Sequence, residues 1–182
     1  MRRSFPCLLL LLALLAVTAL AACGDDNDGE PGTQSSERQS KTSEEPSPSA
    51  QRKALKDTGI KPVIPKPSGS PPRKLVKEDI VKGKGPAAKA GDTLTVNYVG
   101  VAFSTGDEFD ASWDRGQPFD VPLGAHKVIE GWDKGLVGMR KGGRRILTIP
   151  PELAYGSEGQ PPAIAPNETL IFVVDALAIK PG

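Results

Sequence analysis

The sequence predicts an α+β domain of about 110 residues, mostly antiparallel sheet with a single short helix. Strand-like alternation of apolar and polar residues recurs in separate segments from residue 73 onward, whereas only one stretch, Val128 to Met139, has helical spacing. A glycine-bearing turn signal sits between strand-like runs.

The elements follow in chain order. KLVKEDIVKG, residues 74–83, supplies an edge strand. In TLTVNYV, Thr93 to Val99, Leu94, Val96 and Tyr98 point one way and Thr93, Thr95 and Asn97 the other, the pattern of a half-buried strand. Gly106-Asp107 in STGDEF marks a turn. Trp132, Leu136 and Met139 fall at i, i+4 and i+7, one stripe of a helix of about two turns. So short a helix persists only if it buries that stripe on the sheet. RRILTIP, Arg144 to Pro150, alternates again, and TLIFVVDALAI, Thr169 to Ile179, is a longer strand apolar on both faces for part of its length. Trp132 is the odd residue, a large aromatic between Gly131 and Gly135 with few local side chains to surround it. On the residues alone it reads as a core aromatic.

The chain ahead of the domain has a different composition. Residues 1–22 read as a lipoprotein signal peptide: Met1-Arg2-Arg3 is basic, and the apolar run that follows, about 16 residues, is short for a membrane span. The run ends in Leu20-Ala21-Ala22-Cys23, which resembles a bacterial lipobox with Cys23 as the acylated residue; ordinary secretory cleavage is the competing reading. Residues 23–72 read as a disordered tether, acidic and Ser-rich at first, then proline-rich in KPVIPKPSGSPP, with docking of residues 60–72 on the domain through Val63 and Ile64 left open as the alternative. Residues 73–182 form the domain.

Composition excludes several function classes. A formal net charge of +1 gives no electrostatic case for nucleic acid. Cys7 and Cys23 are the only cysteines, so the domain has no disulfide, thiolate metal site or cysteine nucleophile. His126 is the sole histidine, too little for a His-rich zinc site. No metal or cofactor is expected.

Three blocks stand in order: VNYVGVAFSTGDEFDASWDRGQPF, KVIEGWDKGLVGMRKGGRRILTIPPELAYG and PPAIAPNETLIFVVDAL. Together they resemble the FKBP-type, macrolide-binding peptidyl-prolyl cis–trans isomerases over about Lys74 to Ile179. The resemblance implies a twisted antiparallel sheet curled around one short helix, with a ligand pocket between them. It makes Trp132 the floor of that pocket, facing a substrate proline ring. Tyr98, Phe109, Phe119 and Phe172 become aromatic walls, and Val128 and Ile129 an apolar rim whose Ile129 N–H donates to a ligand carbonyl. Asp110, paired with Arg115, and Tyr155, offering its phenol to a second carbonyl, become the catalytic pair. Ile164 belongs to a flap over the pocket.

The sequence departs from the family pattern at Val121, where many members carry a second aromatic, and at Gln160 and Ala163 in the flap. With Val121 read as facing the pocket, these changes predict a slightly wider site and weaker macrolide binding. RKGGRR, Arg140 to Arg145, reads as a solvated basic turn, and His126 as exposed and unimportant. Expected partners are proline-containing polypeptides, macrolide inhibitors, and a membrane reached through the lipid anchor. Two functions fit the fold: an extracytoplasmic isomerase, and a non-catalytic binding or chaperone module. The complete aromatic set favours the isomerase.

Overall fold

The computed structural model describes residues 53–182; the signal segment, Cys23 and the tether up to residue 52 lie outside the described residues. The strands are β1 (Val76–Val81), β2 (Lys84–Ala87), β3 (Thr93–Ala102), β4 (Glu108–Ala111), β5 (Phe119–Pro122), β6 (Arg140–Lys141), β7 (Arg144–Ile149) and β8 (Leu170–Lys180). The helix α1 (Glu130–Gly135) falls between β5 and β6. Six strands form one antiparallel sheet in the order β1-β7-β8-β3-β4, with β5 also on β3. β5 pairs with Thr93–Val96 and β4 with Val99–Val101, so the two short strands share one edge of β3. β2 and β6 form a separate pair.

One sheet face packs on the helix. Leu94, Val96 and Tyr98 from β3, Leu147 and Ile149 from β7, and Leu170, Phe172 and Val174 from β8 join Trp132, Leu136 and Met139 in a single buried cluster. The expected helix stripe is therefore buried, but the helix itself is shorter than the spacing suggests. Gly138 at φ +87° breaks the helical run, and Leu136 and Met139 reach the core from the turn that follows. Gly131 and Gly135 let the helix lie against β7. A Cβ on Gly131 would overlap the Ile149 side chain, and one on Gly135 would come within 2.8 Å of Leu147.

The opposite face holds Val99, Val101, Ala111 and Ile171, with Phe103, Trp113, Ile146 and Ile64 packed on them. Ile64 comes from the stretch that composition assigns to the tether, so the packed structure begins before residue 73. Leu55 is buried, and the Leu55 and Ile60 carbonyls each accept a hydrogen bond from the Arg144 guanidinium at 3.0 Å. Residues 53–66 thus strap the back of the sheet. Their prolines misled the compositional reading, because an extended Pro-rich segment needs only a few apolar anchors to dock.

The RKGGRR expectation needs the same revision. Arg140 and Lys141 are exposed, but Arg144 is 0% exposed and Arg145 is 7% exposed. Arg144 pairs with Asp175 through two hydrogen bonds, 2.5 and 2.6 Å long. Arg145 pairs with Asp79 and donates to the Gly135 and Val137 carbonyls behind the helix. Strand alternation continues into the basic run, and each buried guanidinium has a matched acid.

Candidate active site

Between α1 and the sheet lies a cleft of about 220 Å³. β3 contributes Tyr98, β4 Phe109 and Asp110, β5 Phe119, and β8 Phe172. The loop into α1 adds Lys127, Val128 and Ile129, the helix adds Trp132, and the segment after β7 adds Tyr155. Trp132 is 4% exposed and lies deep, whereas Phe119 is 41% exposed and forms an outer wall. The rings lock edge to face. Trp132 meets Tyr98 at 5.0 Å and 84°, and Phe172 at 5.2 Å and 83°. Phe109 meets Phe172 at 5.5 Å and 89°. Gly100 is what lets these last two rings close over β3, since a Cβ there would lie 2.7 Å from both.

Polar groups are few and mostly committed. The Tyr98 phenol donates to one oxygen of Asp110, and Arg115 donates to the other. Arg115 also donates to the Tyr98 oxygen at 2.7 Å, its guanidinium 5.6 Å from the centre of that ring. Burial, then the bond to Asp110, pushes the Tyr98 phenol up to about 12. Burial, helped by the Asp110 charge, also raises the Tyr155 phenol. Both tyrosines are therefore neutral at physiological pH. Two donors stay open among the described residues: no hydrogen bond uses the Ile129 N–H or the Tyr155 hydroxyl. The Trp132 indole N–H is also buried without an acceptor.

Ten of the twelve residues expected at the site come together here, Arg115 by gripping Asp110 and Tyr98 from behind. The other two are corrections. Val121 is 0% exposed and sits in the core under the cleft, opposite Leu94. It does share a strand face with Phe119, but that face is sealed in the core two residues on. The expected widening at Val121 is therefore absent. Ile164 is buried in the same core rather than lining the cleft, its backbone paired with Gln160 in the flap. The sequence reading missed Lys127, a cation at the rim beside Val128. It also missed buried Asp133, which accepts from the Gly124 and His126 N–H groups at 2.9 and 3.1 Å and so shapes the loop leading to that rim. The "KVIEGWD" spacing itself offered the signal for both. Among the described residues no group of three or more His, Cys, Asp or Glu could hold a metal.

The family profile described as FKBP-type peptidyl-prolyl cis-trans isomerase matches residues 85–177. The chain belongs to that family. An FK506-binding protein of Streptomyces anulatus is 58% identical over 120 residues, covering 65% of this chain and 97% of the relative. A probable FK506-binding protein of Corynebacterium glutamicum is 49% identical over 118 residues, again 65% of this chain and 98% of the relative. Among solved structures, FkpA from Escherichia coli matches with a TM-score of 0.54 and 48% identity, over 59% of this chain and 48% of that one. AtFKBP13 matches with a TM-score of 0.53 and 38% identity, over 57% of this chain and 91% of that one. This FKBP-type chain is thus a peptidyl-prolyl isomerase by family, and the cleft around Trp132 is the candidate site.

Proposed function

We propose that the protein is a lipid-anchored prolyl isomerase acting on exported polypeptides outside the cytoplasm. The observation that carries the catalytic part is the edge-to-face aromatic cleft around Trp132 with two open donors at its mouth. Rotation about an X–Pro bond faces a barrier of about 18–20 kcal/mol because the amide has partial double-bond character. No covalent intermediate is required. The twisted bond has lost resonance and is less polar than the planar one, so a dry aromatic wall favours it relative to water. Trp132 holds the proline ring, the Ile129 N–H takes one flanking carbonyl and the Tyr155 phenol the other. These contacts are made best with the twisted geometry, which is differential binding of the transition state. Asp110 keeps Tyr98 and Arg115 in place. The same apolar cleft takes a macrolide, the ligand class named in the two relatives.

The full-length chain should speed cis-to-trans conversion of a short Leu–Pro peptide. Folded protein with only the uncatalysed rate would leave a binding module as the reading.

The location rests on sequence. Leu20-Ala21-Ala22-Cys23 precedes a polar, proline-rich stretch. Residues 24–52 lie between Cys23 and the docked residues 53–66. More than one acyl chain on Cys23 makes anchoring stable. Cys23→Ser should move the protein from the membrane fraction to the soluble fraction, or block its processing. A mature N-terminus elsewhere, without acyl mass, would sink the anchor.

A further inference from the structure

We propose that Lys61, in the strap behind the sheet, is a positioning residue for the cleft. It ties together the two ends of the segment Glu108–Asp114, which presents Phe109 and Asp110 and leads into Arg115. The proposal rests on the isomerase reading of the cleft.

The Lys61 ammonium donates to Glu108 at 2.8 Å and to both oxygens of Asp114 at 2.7 and 2.9 Å. Glu108 immediately precedes Phe109 and Asp110, and Asp114 immediately precedes Arg115. One cation therefore closes the segment at both ends. β4 lies at the sheet edge, with β3 as its only strand partner, and its pairing with β3 slips between Gly100 and Val101. That ladder alone holds the segment loosely.

Lys61 is not a freely swinging surface lysine. The Ile60 carbonyl just before it accepts from Arg144, which is fully buried, and Pro62 just after it is buried. Ile64 packs on the sheet beside Val99 and Ala111. The strap thus delivers the ammonium to a fixed point. The Asp114 and Glu108 carboxylates hold the ammonium above the usual lysine range, and Lys61 in turn lowers Asp114. Without Lys61, the two carboxylates lose the cation that both of them bind, Asp114 keeps only the weaker pull of Arg115, and their repulsion spreads the ends of the segment. Asp110 and Arg115 then lose the register in which they grip Tyr98.

These pairs are partly exposed, so the expected effect is graded and salt-sensitive. In the full-length chain, Lys61→Met should lower kcat/KM for a Leu–Pro peptide about two- to fivefold, and Lys61→Arg should restore most of it. High salt should lower the native value and, by screening the carboxylate repulsion, raise that of Lys61→Met, so that the two converge. Amide exchange of residues 108–115 should quicken in Lys61→Met. Should Lys61→Met fold poorly, the paired substitution Glu108→Gln with Asp114→Asn removes the tie without stranding two charges, and a smaller loss in the same direction is expected. Native kcat/KM in folded Lys61→Met, or in the paired variant, overturns the proposal. So does a lowered melting temperature with unchanged turnover well below it, which marks a purely structural role. Absence of catalysis in the native chain would instead sink the isomerase reading.

Discussion

At the scale of single residues, the cleft works by placement rather than by reactive groups. On the proposed reading Tyr155 and Asp110 make no covalent bond: Asp110 holds Tyr98 and Arg115, Tyr155 donates to a bound substrate, and hydrogen bonds of this kind are worth about 0.5–1.5 kcal/mol. Tyr155→Phe and Asp110→Val should therefore each slow turnover by about two- to tenfold without abolishing it, measured with a Leu–Pro peptide. Complete loss in well-folded Tyr155→Phe would mean a different mechanism. The raised Tyr98 phenol also makes a prediction for stability. An unfolded tyrosine loses its proton near pH 10.0, while the folded Tyr98 keeps it to about 12. In that window the unfolded state binds fewer protons than the folded one, so stability falls as pH rises. The contribution is fully present below pH 10. Denaturant midpoints at pH 9, 10.5 and 11.5 should drop less steeply in Tyr98→Phe than in the native chain. Parallel slopes would show that Tyr98 is not the group responsible.

At the scale of elements, β5 carries the clearest lesson. Phe119 and Val121 share a face of the strand, yet one lines the cleft and the other is sealed beneath it. Phe119 lies at the exposed end of the strand and Val121 in the core opposite Leu94, so the same face changes surroundings within two residues. Val121→Phe then inserts a ring into a filled core. It should cost about 1–3 kcal/mol of stability and leave macrolide affinity no tighter. Denaturant unfolding and calorimetric titration separate the two effects. A several-fold gain in affinity with unchanged stability would restore Val121 to the wall. The helix shows a related economy: six residues suffice because Gly131 and Gly135 let it rest on β7. Asp133 then uses that short helix as an anchor for the loop bearing Val128 and Ile129.

At the scale of the molecule, the strap makes the folded unit larger than the family profile, which begins at residue 85. Arg144 has four hydrogen bonds, two to Asp175 and two to strap carbonyls. Burial pushes the Asp175 carboxyl up while Arg144 pulls it back, so the pair depends on being fully satisfied. Cutting the chain at residue 73 removes two acceptors from this guanidinium and uncovers apolar surface at Ile171 and Val99. Hydrogen bonds to charged groups contribute about 1.5–3 kcal/mol each, and water replaces part of that once the strap is gone. A chain starting at residue 73 should thus be less stable than one starting at residue 53 by about 2–3 kcal/mol, read from urea unfolding. Equal midpoints would mean that the strap does not stay docked in solution.

What the sequence determined by itself was local. Alternation in β3, β7 and β8, the Trp132–Leu136–Met139 stripe and the order of the aromatic motifs follow from periodicity and spacing, which act over a few residues. The motif order carried the resemblance, and with it ten of the twelve expected residues that the fold gathers at the cleft or directly behind it. Tertiary structure alone decided the rest, because those facts depend on contacts between residues far apart in the chain. That Val121 packs opposite Leu94 and that Arg144 meets Asp175 are outcomes of sheet register, and that Ile164 joins the core rather than the cleft is an outcome of how the flap packs on it. The strap was illegible for the same reason. Leu55, Ile60, Lys61 and Ile64 are too sparse to form a periodic signal, and the hydrogen-bond partners of the first three lie 47 to 89 positions away, from Glu108 to Arg144. A polar, proline-rich stretch looks like a tether until the surface that receives it has been built.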